Sequence, residues 1–205
     1  MFTLRMWDLD QLAILPVDWA AAVAALADTS ALSTVLDGRS STSRESVDMR
    51  PITVSVVTGG TIKSRLPWLY DAYTGPLLEL SSELYGRKLE ISSDLTSSIN
   101  INMIAGAGNR YERHVDSNPV TGILYASTLR ENDGGALIFD HQLNSSDIVY
   151  PRAGLFIAFD ATTTPHHVAP LKTTKVRLSI PMNYYYSGTQ HHRPSDLDKY
   201  LYRKK

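Results

Sequence analysis

The chain contains no cysteine. Disulfide staples, thiolate metal sites and cysteine nucleophiles are therefore excluded, and any metal centre must be assembled from histidine and carboxylate. Long apolar runs are lacking as well. The nearest approach, WAAAVAALA from Trp19 to Ala27, falls far short of the roughly 20 residues that span a bilayer. Asp8, Asp10 and Asp18 precede it, where a secretory leader would be positive. The stretch reads instead as a short alanine-rich helix, capped by Asp18 and ended by Asp28-Thr29-Ser30. No basic tract stands out either: 20 Lys and Arg face 21 Asp and Glu, for a net charge of −1. That balance argues against nucleic acid or a membrane surface as the main partner. A soluble, cytoplasmic protein is expected.

The residues that are present suit one domain. The chain has 205 residues, 43% of them hydrophobic, enough for a single sizeable core. Residues 1–87 read as helical support with loops. Asp37 to Pro51 (DGRSSTSRESVDMRP) is polar and without periodicity, so an exposed loop is expected there. Leu69, Tyr73, Leu77, Leu80 and Leu84 recur at helical spacing and Gly86 comes next, which predicts one helix from about Trp68 to Tyr85. From about 88 to 186 the pattern changes to short segments rich in β-branched and aromatic residues: LEIS, SININMI, GILYAS, GALIF, GLFIAF, HHVAPL and VRLSIPMNYYY. Turn signals such as Asn132-Asp133-Gly134-Gly135 separate them. The fold class is therefore mainly β, a sandwich or barrel with N-terminal helices packed outside it. Residues 187–205 read as a tail, with His191-His192-Arg193 and Arg203-Lys204-Lys205 in solvent.

The histidines are 114, 141, 166, 167, 191 and 192. His114-Val115-Asp116 has ligand-forming spacing: on an extended strand, residues i and i+2 share a face, so imidazole and carboxylate converge while Val115 turns toward the core. His-x-Asp alone is a common pattern. Its weight comes from the residues downstream: His166 within Pro165-His166-His167-Val168-Ala169-Pro170, then Arg177 and Ser179 as a second same-face pair. A guanidinium fork beside a hydroxyl suits a terminal carboxylate. His141 reads as a loop residue, and Lys63, Arg65 and Arg130 as surface charges.

The run Tyr111-Glu112-Arg113-His114-Val115-Asp116-Ser117-Asn118-Pro119 resembles the His-x-Asp segment of prolyl-hydroxylase-type 2-oxoglutarate oxygenases. Gly134-Gly135-Ala136-Leu137, Pro151-x-x-Gly154, His166-x-Val168-x-Pro170 and Arg177-x-Ser179 match the rest of the pattern in order, over roughly 98–186. The resemblance implies a double-stranded β-helix (jelly roll, cupin-like) with Fe(II) held by His114, Asp116 and His166. It selects His166 over His167, because the ligand sits four residues before the proline. It implies 2-oxoglutarate as cosubstrate alongside O2, its far carboxylate held by Arg177, Ser179 and Tyr125. Asp116 favours hydroxylation, since related halogenases lack that carboxylate. Departures occur at Ile104, where a tyrosine is frequent, and at Ala136, where a glutamate is; Asn100 or Asn102 offers a substitute polar contact.

The implied reaction is hydroxylation of an unactivated C–H bond of a small molecule or amino acid, free or carrier-bound, with release of succinate and CO2. The alternative is a prolyl or other peptidyl hydroxylase acting on a protein, which the hypoxia-type likeness around Arg113 supports. A non-catalytic jelly-roll module, or a cupin-like isomerase with zinc or manganese, has little use for the combination of triad and Arg177-x-Ser179.

Overall fold

The computed structural model describes residues 3–36, 52–141 and 146–191. Along the chain run β1 (Leu4–Asp8), α1 (Leu9–Leu12), α2 (Trp19–Ser30), β2 (Leu32–Leu36), β3 (Ile52–Val57), α3 (Gly59–Arg65), α4 (Pro67–Thr74) and α5 (Pro76–Tyr85). Next come β4 (Leu89–Ile91), β5 (Ile101–Ile104), β6 (Tyr111–His114), β7 (Val120–Tyr125), β8 (Leu137–Asp140), β9 (Ser146–Val149), β10 (Leu155–Asp160), β11 (His166–Val168) and β12 (Arg177–Tyr186). They form a larger antiparallel sheet ordered β1-β10-β7-β12-β5-β3-β2, with β4 beside β12, and a smaller one ordered β6-β11-β8-β9. This is a mainly β architecture, as the strand pattern implied, and of the jelly-roll kind that the family resemblance implied.

The larger sheet is covered on both faces, and its sequence records this. β7 (VTGILY) is buried at every position, as expected for a strand between two layers. Alternation sorts its side chains. Val120 and Leu124 join Phe156, Ala158, Leu178, Ile180, Met182 and Tyr184 in the core shared with the helices. Ile123 and Tyr125 join Ile104, Ile157, Phe159 and the small sheet's Leu137, Phe139 and Val168 in the jelly-roll interior. Gly122 is required where β7 crosses β10: a Cβ there would lie 2.9 Å from the Phe156 ring.

Several expectations change. The N-terminal third supplies more than helices, since β1 caps one edge of the larger sheet and β2 and β3 extend the other. The expected helix from Trp68 to Tyr85 is two helices broken at Gly75. Pro76 lacks an N–H and its ring disfavours a helical conformation at the residue before it, so the second helix restarts with the proline in its first turn. Asp18 precedes α2 in a left-handed conformation, and its side chain makes no cap. His191 is not free in solvent: it stacks on Tyr185 at 4.1 Å and pairs with Glu90 at 2.8 Å. The loop expected at Asp37 to Pro51 and the tail beyond His191 lie outside the described residues.

Candidate metal centre

His114 and His166 are cross-strand partners on β6 and β11, the placement that brings facing side chains closest in an antiparallel pair. Their rings lie 4.4 Å apart. β6 ends at His114, so Asp116 is not on the strand as expected but just past it, where its N–H donates to the Ala161 carbonyl at 2.9 Å. Val115 is half-buried, outside the core. The carboxylate nevertheless turns to the imidazoles. Asp116 Oδ1 is 3.5 Å from His114 Nε2 and 3.8 Å from His166 Nε2. One ligand atom from each residue lies within 4.8 Å of the others, the one such His/carboxylate group among the described residues.

Both imidazoles are oriented by backbone. His114 Nδ1 donates to the Glu112 carbonyl at 2.6 Å, and His166 Nδ1 to the Thr164 carbonyl at 3.0 Å. A carbonyl only accepts, so each Nδ1 carries a proton and each ring turns its Nε2 to the shared space. Burial pushes the His166 imidazole down to about 4, helped by His114 and opposed by Asp116. Burial alone would raise the Asp116 carboxyl, but His166, His114 and the Thr121 hydroxyl outweigh it and bring it to about 2. At neutral pH His166 is a neutral imidazole and Asp116 a carboxylate, the ionisation states in which each can serve a divalent cation.

The metal-free protein should therefore lose stability in acid. Unfolded, His166 takes a proton below its ordinary 6.5; folded, it resists until about 4. Between these values the unfolded chain binds the extra proton, so stability falls as pH falls, by up to about 3 kcal/mol. Denaturant melts across this window should show that loss, and His166→Gln should remove it. A flat profile in the wild-type chain would contradict the buried neutral imidazole.

Arg177 and Ser179 open β12 and face the jelly-roll interior beside Tyr125, which pairs with Ser179 across the strands. Arg177 is 2% exposed. Its Nε donates to the Gly135 carbonyl at 2.9 Å and its Nη1 to Ser179 Oγ at 2.7 Å. Gly135 holds φ at +73°, a conformation glycine permits. The Arg177 guanidinium lies 5.3 Å from the centre of the Tyr125 ring. The Tyr125 hydroxyl is buried and forms no hydrogen bond of ordinary geometry; the neighbouring Arg177 guanidinium offsets part of the cost of that burial. A buried cation beside a buried hydroxyl is the surrounding a carboxylate would complete.

Tyr111 belongs to the motif, yet its spacing alone assigns it no role. Its ring lies 5.7 Å from the His114 ring. Burial raises its hydroxyl to about 12, Asp116 adds to this and Arg177 opposes it, so it sits electrostatically between triad and guanidinium. Its position three residues before His114 was the available signal. His167 turns away from the triad: its Nδ1 meets Asp140 Oδ2 at 3.1 Å, and the same oxygen accepts from Arg113 Nε at 3.0 Å. His141 pairs with Asp147. Asn100 holds the Val57 and Thr96 carbonyls.

Residues 99–185, the span carrying all of these side chains, match the family model described as the 2OG-Fe(II) oxygenase superfamily. Over that span the chain is similar to the superfamily, which the family model describes as oxygenases that use 2-oxoglutarate and Fe(II). No curated protein sequence matches it. Among solved structures it resembles a 2OG-Fe(II) oxygenase family oxidoreductase from Burkholderia pseudomallei, at 12% identity and a TM-score of 0.67, over 94% of this chain and 89% of that one. It also resembles a prolyl hydroxylase from Trichoplax adhaerens in complex with a hypoxia inducible factor peptide, at 16% and 0.65, over 92% and 88%. HygX from Streptomyces hygroscopicus, with nickel and 2-oxoglutarate bound, aligns at 10% and 0.63, over 95% and 87%. No helix among the described residues is long and apolar enough to cross a membrane.

Proposed function

We propose that the protein hydroxylates a C–H bond of a small molecule or amino acid, free or carrier-bound, with Fe(II) held by His114, Asp116 and His166. The far carboxylate of 2-oxoglutarate is assigned to Arg177, Ser179 and Tyr125. The observation that carries this reading is the buried Arg177 guanidinium beside the buried Tyr125 hydroxyl, in the jelly-roll interior that His166 borders through Phe139 and Phe159. Two imidazoles and one carboxylate leave half the positions of an octahedral iron open. Iron, 2-oxoglutarate and O2 supply the oxidising chemistry, with release of succinate and CO2.

The chain's own residues bind, orient and exclude. The Glu112 and Thr164 carbonyls hold both imidazoles with Nε2 forward. Ser179 and the Gly135 carbonyl fix the plane of the guanidinium, so its remaining donors keep one direction. Phe139 and Phe159 pack around His166, at 6.1 and 5.0 Å between ring centres, and keep water from that side.

The small-molecule reading is preferred to a peptidyl one because Arg113, the residue that favoured a peptide, is paired with Asp140, the carboxylate that also engages His167 away from the triad. Succinate release, screened against free amino acids and proline-containing peptides, tests the choice. Stimulation by a free amino acid is expected. Stimulation by peptides alone would replace the substrate class with the peptidyl one.

A further inference from the structure

Asp116 has two carboxylate oxygens, and they have different surroundings. Oδ1 faces the two Nε2 atoms. Oδ2 faces Thr121, whose Oγ1 lies 2.5 Å away. Thr121 in turn lies 2.8 Å from Asn118 Nδ2, and the same nitrogen lies 2.7 Å from the Val120 carbonyl. Asn118 and Thr121 are each 3% exposed, so neither exchanges these partners for water.

The proton positions in this chain of hydrogen bonds are set by one fixed end. The Val120 carbonyl only accepts, so the Asn118 amide must present its NH2 side there. The second proton of that NH2 then goes to Thr121 Oγ1. A hydroxyl has one proton; with Asn118 donating to its oxygen, Thr121 directs that proton to Asp116 Oδ2. The direction is set by the backbone of β7 and does not depend on a metal. β7 thus touches both halves of the site from one face, with Thr121 at its start on Asp116 and Tyr125 at its end on Arg177.

We infer that Asn118 and Thr121 are positioning residues that occupy Oδ2 of Asp116, leaving Oδ1 as the single oxygen offered to the cation. A carboxylate free to rotate would present either oxygen or both, and chelation through both would consume a position that cosubstrate or O2 needs. The inference rests on the triad being the iron site, and is separable from it by experiment.

Iron(II) affinity is measured anaerobically by calorimetry on chelator-treated protein, for wild type, Thr121→Val, Thr121→Ser, Asn118→Ala, the Asn118→Ala/Thr121→Val double variant and His166→Ala. Thr121→Val should weaken binding by about 10- to 100-fold, the range for loss of a group that orients a ligand. Thr121→Ser, which keeps the hydroxyl, should restore most of the affinity; a structural role of the threonine methyl would not give that rescue. Asn118→Ala should weaken binding too, and the double variant should bind no worse than Thr121→Val, because Asn118 acts through Thr121. Wild-type affinity in Thr121→Val, no rescue by serine, or additive losses in the double variant would overturn the relay while leaving the triad in place. Should Thr121→Val not fold, Thr121→Ser against Asn118→Ala decides, since equal affinities near wild type in both would equally overturn it. If wild type binds no iron, or His166→Ala binds it undiminished, the triad reading itself fails and this inference falls with it.

Discussion

Arg177→Gln is expected to weaken 2-oxoglutarate binding by roughly a hundredfold or more while iron affinity stays near wild type. The guanidinium is buried and already holds the Gly135 carbonyl and Ser179. Its remaining donors face Tyr125, in surroundings where water cannot stand in for a lost charge. Removing one partner of a buried, hydrogen-bonded charge pair costs about 2–5 kcal/mol, and each 1.4 kcal/mol is about a factor of ten in affinity. Arg177→Lys should fall between the two, because it keeps the charge and loses the planar fork. Tyr125→Phe should cost less than either, since it removes one neutral hydroxyl and leaves the Arg177 charge in place. Calorimetric titration of the manganese-loaded protein with 2-oxoglutarate measures all three. Loss of metal together with cosubstrate in Arg177→Gln would show that the arginine supports the fold of the site and not the ligand.

Asp116→Ala is expected to bring succinate release to background. It removes the one anionic member of the triad and leaves two neutral imidazoles, so both metal charge compensation and a coordination position are lost. It also strands the Thr121 hydroxyl. The paired control is His167→Ala. His167 neighbours His166 in sequence, but its Nδ1 is engaged with Asp140, so this variant should retain iron and turnover. Iron content measured after anaerobic loading separates the two. Loss of iron in the His167 variant with retention in His166→Ala would mean that the distal ligand was assigned to the wrong histidine of the pair.

The site was more legible in the sequence than the fold around it. That His114, Asp116 and His166 would come together, and Arg177 with Ser179, followed from the family pattern recurring in order across one continuous stretch; strand alternation accounts for Arg177 and Ser179 but not for Asp116, which lies past the end of β6. The core strands β5, β7, β8, β10, β11 and β12 were visible for the same reason, as short apolar runs between turns. β1 was not: LRMWD carries charge near both ends and lies at a sheet edge, where one exposed side relaxes the apolar requirement. β9 has the same problem, with three exposed residues in four. The break at Gly75 is hidden because apolar periodicity continues through it, and only Pro76 records the interruption. Thr121 is hidden for a different reason. Its role depends on Oδ2 of a residue that reaches it around a turn, and no periodic pattern encodes that contact.

The most direct test of the central claim is the visible spectrum of the anaerobic protein with iron(II) and 2-oxoglutarate. A weak charge-transfer band should appear only when both are present, persist in His167→Ala, and be absent in Asp116→Ala and His166→Ala. No band in the wild-type protein, or an unaltered band in His166→Ala, would contradict the assignment of His114, Asp116 and His166 as the iron site.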